Sequence, residues 1–219
     1  MRMRRKPWAR PELDACDFFI KEPKNLKGNW KSRFPENRPL ELELGCGKGG
    51  FAAEIALQNP QKNFLAVDIK SEVLAVGRRT IVKRFAEENR QVDNLLLTAY
   101  NIELIDDILG AEDKIERIYI NFCNPWPRKK HQKRRLTYPR QIEKYKTFLV
   151  KGGEIRFKTD DDGLYNDTLD YFKQCGLEII CCGEDLHSSD IKDNIITEHE
   201  RMFTEQGITV KYCYARYNG

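Results

Sequence analysis

The sequence predicts a doubly wound α/β domain built on a mostly parallel sheet. Three observations carry this prediction. From residue 40 onward, short apolar runs alternate with helical patterns, the signature of a parallel sheet with helices on both faces. The first run ends in a glycine-rich loop that opens the first helix. An acid, Asp68, closes the second run. Right-handed crossovers then leave the doubly wound arrangement as the main topology.

The elements follow in order. Strands are expected at 40–44, 63–67, 95–99, 115–121, 154–158, 177–182 and 209–216, where apolar residues cluster in short runs. Helices are expected at 50–58, 71–89, 138–149 and 164–175. Ser71 stands where it would cap the second helix. Residues 1–35 carry many cations and little periodicity, and read as a basic, partly flexible arm. Residues 36–219 form the domain proper.

Composition narrows the function classes. The chain has 219 residues, 33% of them charged, and a mean hydropathy of −0.66. No apolar run approaches the roughly 18 residues that a membrane span requires. The N-terminus is basic and lacks an apolar segment of the signal-peptide kind. These features predict a cytoplasmic protein without a membrane partner. The seven cysteines contain no C-x-x-C, and the three histidines are not spaced as ligands, so neither disulfides nor a metal are expected.

The net charge of +4 matters less than its distribution. Arg128, Lys129, Lys130, His131, Lys133, Arg134 and Arg135 form a run without acids, directly after a Pro-Trp-Pro turn. Acids are spread through the rest of the chain. A polyanion partner explains that segregation better than a merely solvated face.

The motifs carry the chemistry. In Glu43-Leu44-Gly45-Cys46-Gly47-Lys48-Gly49, glycines let the backbone turn sharply and approach a ligand closely. Taken alone the glycines also fit a structural turn. Asp68 lies about 20 residues further on, the place from which an acid accepts hydrogen bonds from ribose hydroxyls. Its other reading, a helix cap, is already filled by Ser71. NAD uses similar spacing, but the pattern here is G-x-G-x-G and not the dinucleotide G-x-G-x-x-G. Asn101, after the third strand, offers both donors and an acceptor, as an adenine edge requires; an ordinary loop asparagine is equally compatible. Trp126 either stacks a base or packs under its loop.

The segment Asn124-Pro125-Trp126-Pro127-Arg128-Lys129-Lys130-His131-Gln132-Lys133-Arg134-Arg135-Leu136 resembles the signature of the bacterial tRNA (guanine-N7-)-methyltransferase family, TrmB. The likeness covers nearly all of residues 40–217. It includes Lys158-Thr159-Asp160 and Thr197-Glu198-His199-Glu200. It implies a class I, Rossmann-like methyltransferase fold, S-adenosyl-L-methionine as cofactor, and methylation of guanine N7 in the variable loop of tRNA by a monomer or homodimer. The resemblance assigns Glu43, Gly45, Gly47, Asp68, Asn101 and Asn124 to the methyl donor. It assigns the 128–135 cations to RNA, and Asp160, Thr197, Glu198 and Glu200 to the target nucleoside. The sequence Thr197-Glu198-His199-Glu200 also fits a helix N-terminus with a capping Thr and early acids.

Asn124 stands where most members of that family carry Asp. An amide takes no proton near neutral pH, so Asn124 is expected to position guanine and not to act as a base. The reaction tolerates this, because N7 carries an in-plane lone pair and no proton. Two other classes compete with this reading. A small-molecule methyltransferase has no use for the basic loop. An RNA-binding protein without activity would not bind a methyl donor.

Overall fold

The computed structural model describes residues 6–219. Eight strands form one sheet: β1 (Phe19–Ile20), β2 (Leu40–Leu44), β3 (Asn63–Asp68), β4 (Leu95–Ala99), β5 (Ile115–Asn121), β6 (Leu149–Thr159), β7 (Glu178–Gly183) and β8 (Lys211–Arg216). Their order is β1-β4-β3-β2-β5-β6-β8-β7. Pairing is parallel from β1 to β6, and β8 runs antiparallel to both β6 and β7. Six helices accompany it: α1 (Ala9–Asp14), α2 (Gly50–Gln58), α3 (Ser71–Glu87), α4 (Pro139–Lys146), α5 (Asp162–Gln174) and α6 (Glu198–Glu205).

The period of two along each strand divides the core between the two faces. Leu40, Leu42 and Leu44 of β2 join Leu65 and Val67 of β3 under α4 and α5. Phe64 and Ala66 point the other way, into the layer made by α1, α2 and α3. On β2 that second face carries Glu41 and Glu43, both buried. Glu41 is fully engaged: Lys62 pairs with it and the Tyr119 hydroxyl donates to it at 2.6 Å. Glu43 is not: its buried Oε2 has no partner.

Two expectations are corrected here. The N-terminal segment, as far as it is described, is docked. α1 packs on α3, with Glu12 paired to Arg78 and Arg79. β1 extends the sheet beside β4. Trp30 is fully buried and donates through Nε1 to the Ile108 carbonyl at 2.7 Å. Residues 1–5 lie outside the described residues. The fourth expected helix, 138–149, is cut short: α4 stops at Lys146, and Leu149 already begins β6.

Candidate methyl-donor and nucleoside site

The carboxyl ends of the parallel strands meet at a cleft of about 470 Å³. This volume lies within the roughly 300–1,000 Å³ of small-molecule and cofactor sites. Gly45, Asp68, Asn101, Asn124 and Trp126 all line it. The strand ends of an open α/β sheet are where its ligands bind.

One side of the cleft is built by the glycine loop. The loop carries Gly45 at φ +83° and Gly47 at φ +53°, a backbone that side chains rarely adopt. It rests on α3 at Gly77, where a Cβ would meet the Lys48 and Gly47 backbones at 3.1 and 3.2 Å. A glycine within a helix costs about 1 kcal/mol, and here it lets the loop lie against the helix. Asp68 fixes the loop from the other side: Gly47 N–H donates to Oδ2 and Lys70 N–H to Oδ1, each at 3.0 Å. Each oxygen keeps a further lone pair for a ligand. Ser71 is not the cap it was expected to be. It is the first residue of α3, and the capping position, Lys70, has no side-chain cap. Asp68 thus holds the chain at the entry to α3 and also lines the cleft.

Glu43 lies at the end of β2. Its Oε1 accepts from Asn121 at 3.4 Å, and its buried Oε2 has no partner. Burial pushes its carboxyl up to about 8. An orphaned buried oxygen is costly, and a cationic ligand would relieve it. In the cleft itself, Asn101 spends its Oδ1 on the Glu103 N–H at 3.1 Å, which leaves its amide N–H groups free. Ile69 is 59% exposed beside Asp68 and lines the same cleft. Sequence reasoning missed it; an apolar residue directly after the ribose-type acid was the available signal.

The other side is the Asn124–Pro127 turn. Trp126 has φ +44° and Phe122 φ +51°, conformations that cost energy in non-glycine residues. Asn124 Oδ1 accepts from the Trp126 N–H at 3.1 Å, and the Asn124 side chain is exposed at the cleft. Arg134 covers the Trp126 ring at 5.2 Å, and His131 lies against it with ring centroids 5.8 Å apart. Trp126 is thus packed within its own loop on those sides. Arg128, Lys129, Lys130 and Lys133 are exposed, with no acidic partner among the described residues.

Arg135 corrects the expectation of an uninterrupted phosphate-gripping run. It is 3% exposed, pairs with Asp167 of α5, and donates through Nε to the Pro125 carbonyl at 2.7 Å. It fastens the turn to α5 and has no face for RNA.

Residues 193–200 form a strap that runs to α6. Thr197 and Glu200 make a capping box: Glu200 N–H donates to Thr197 Oγ1 at 3.0 Å, and Thr197 N–H reaches Glu200 Oε2 at 3.5 Å. Glu200 is fully buried and pairs with Lys158 at 2.8 Å, while Asn194 donates to its other oxygen at 2.6 Å. Its carboxylate is therefore consumed inside the protein, a second correction to the expected nucleoside contacts. Glu198 is exposed and pairs with Lys48 of the glycine loop at 2.7 Å. His199 stacks on Phe122, with ring centroids 5.9 Å apart. Asp160, half-exposed at the end of β6, forms no ion pair among the described residues; its main-chain carbonyl accepts from Lys211 at 3.1 Å. Lys158 was missed as a site residue. It is a cation 4% exposed, and it sends one hydrogen bond to Glu200 and two more to Asn194 Oδ1 and the Ile195 carbonyl.

A parallel sheet closed by one antiparallel strand, with a glycine loop after β2 and an acid ending β3, defines the class I methyltransferase fold. Solved structures agree on the fold: the 16S rRNA methyltransferase KamB superposes with a TM-score of 0.57 at 14% identity over 83% of this chain and 88% of its own. The N-methyltransferase NodS from Bradyrhizobium japonicum WM9, in complex with S-adenosyl-L-homocysteine, gives 0.54 at 12% identity over 83% and 79%. Residues 37–213 match the family model described as a putative methyltransferase. Among curated proteins, the tRNA (guanine-N(7)-)-methyltransferase of Clostridium perfringens (strain SM101 / Type A) is 57% identical over 217 residues, 99% of each chain. The one from Clostridium beijerinckii is 56% identical over 98% of each. The chain belongs to the tRNA (guanine-N(7)-)-methyltransferase family.

Proposed function

We propose that the protein transfers a methyl group from S-adenosyl-L-methionine to N7 of a guanine in the variable loop of tRNA. One observation carries this reading. A single cleft joins a donor-type half, with Gly45, Asp68 and Asn101, to an exposed turn that continues directly into unpaired cations, and Glu43 lies buried two residues before Gly45. The names of the relatives point the same way.

The residues present fit the cofactor. The unpartnered Glu43 Oε2 suits its ammonium, the free lone pairs of Asp68 suit its ribose hydroxyls, and the Asn101 amide with Ile69 suits its adenine. When bound, S-adenosyl-L-methionine supplies an electrophilic methyl group on a sulfonium. Guanine N7 attacks with its own lone pair, so no side chain has to remove a proton. What remains for the protein is alignment and exclusion of water. Asn124 positions the base with its free amide group and remaining carbonyl lone pair. Arg135 holds the turn that carries it. Arg128, Lys129, Lys130, Lys133 and Arg134 meet phosphates, which place the RNA without reading its sequence.

The test is transfer of labelled methyl to unmodified tRNA transcripts, followed by borohydride and aniline cleavage. Cleavage at a variable-loop guanine supports the reading. Incorporation without cleavage moves the reaction to another atom and rejects it.

A further inference from the structure

Lys48 stands between Gly47 and Gly49 and is the only cation of the glycine loop. Its ammonium lies 2.7 Å from Glu198 Oε1, at a sequence separation of 150 residues. The pair bridges the two halves of the site, because the loop serves the donor and Glu198 opens α6 on the nucleoside side. Both side chains are more than half exposed, at 57% and 65%. Such a pair adds little to stability and is easily exchanged. The neighbouring Lys158–Glu200 pair is buried, and opening it would strand a charge without a partner. Of the two bridges, only the exposed one is free to change partners.

Around Lys48 the loop offers the remainder of a site for an α-amino acid. Glu43 Oε2 awaits an ammonium. The first turn of α2 starts at Gly49 without a side-chain cap, so its N–H groups are open to an anion. An α-carboxylate next to that ammonium needs a cation, and Lys48 is the cation the loop carries.

We infer that Lys48 binds the α-carboxylate of the methyl donor, and that Glu198 occupies Lys48 until the donor arrives. The inference rests on the proposed function above. No covalent bond changes: the Lys48–Glu198 pair opens and a Lys48–carboxylate pair replaces it. Glu198 is then free to accept from the N1–H and N2–H edge of guanine. Donor binding prepares the nucleoside side, and by linkage a guanine that engages Glu198 tightens the donor. Lys48 is a binding residue on this account, and Glu198 is the coupling element between the two ligands.

Calorimetry on the full chain without tRNA tests the exchange. The probes are S-adenosyl-L-homocysteine, which keeps the amino-acid end, and 5′-methylthioadenosine, which lacks it. Lys48→Met is expected to weaken S-adenosyl-L-homocysteine about tenfold, the worth of one charge-assisted hydrogen bond. It should leave methylthioadenosine unchanged, and Lys48→Arg should restore most of the loss. Glu198→Gln is expected to tighten S-adenosyl-L-homocysteine by roughly two- to fivefold, since the competing anion is gone. The same variant should lower kcat/KM for tRNA, and its gain in donor affinity should vanish when combined with Lys48→Met. Equal losses for both probes in Lys48→Met, or weaker binding in Glu198→Gln, would overturn the inference. Wild-type protein that binds neither probe would instead overturn the methyl-donor reading itself.

Discussion

Two charged segments flank the cleft, and they treat their charges in opposite ways. In the 128–134 loop, Arg128, Lys129, Lys130 and Lys133 are exposed and meet no acid among the described residues. In the 193–200 strap every acid is paired: Asp193 with Arg156, Glu198 with Lys48, and Glu200 with Lys158. The two segments differ in what completes them. Each acid of the strap has a partner within the protein, buried for Glu200 and exposed for Glu198. The loop leaves its cations without any such partner among the described residues. Arg135 marks the boundary, since it follows Arg134 directly yet belongs with the strap in kind.

Substitutions should separate the two behaviours. The largest effect is expected from Lys158→Met, which leaves Glu200 buried without its counter-ion. A loss of about 3–5 kcal/mol is predicted in urea unfolding, and an unchanged midpoint would refute the architectural role. Neutralising Arg128, Lys129, Lys130 and Lys133 to Gln should do the reverse. Stability should stay within about 0.5 kcal/mol, while the slope of log affinity for tRNA against log salt flattens by about three to four. A slope that does not move would remove RNA from the loop.

Next in size is the adjacent pair of arginines. Arg135→Gln is predicted to cost roughly 1.5–3 kcal/mol, the range for hydrogen bonds to charged groups. Arg134→Gln should cost under about 1 kcal/mol, the worth of an exposed cation over a ring. Equal costs in thermal unfolding would erase the boundary drawn between them.

The last effect concerns pH. Burial raises the Glu43 carboxyl from 4.5 to about 8. A raised folded value means the fold favours the neutral acid. That contribution is complete below pH 4.5 and is lost as the pH rises through about 8. Stability of the ligand-free protein should therefore decline over that window, and Glu43→Gln should flatten the decline. Affinity for S-adenosyl-L-homocysteine should run the other way, rising toward pH 8 by up to about tenfold per unit. An affinity independent of pH would show that Glu43 is not the ammonium's partner.

Much of this was legible in the chain. The parallel strands from residue 40 onward follow apolar runs, as strands buried on both faces do. Asp68 and the glycines announce themselves by residue type and spacing. Other features have no such signal. Arg134 and Arg135 are the same residue, and only the fold decides which is turned inward. Glu198 and Glu200 are two apart on a helix, so they face different surroundings, and nothing local says which is buried. Ser71 looks the better cap, but α3 begins one residue too early for it, at Ser71 itself. The docking of residues 9–34 rests on Trp30 and on contacts between segments distant in sequence, such as the Asp113 carboxylate taking the Gly28 N–H at 2.9 Å. Periodicity cannot register a contact of that range.

The antiparallel insertion has a bearing on how the molecule is made. β7 touches the sheet only through β8, which lies between it and β6. On the ribosome β7 emerges first and finds no edge to join until residues 211–216 follow. The strap lies between these two strands in the chain, so it too must wait. The cleft side built on β2, β3 and β4 can therefore form before the strap and β7 are in place.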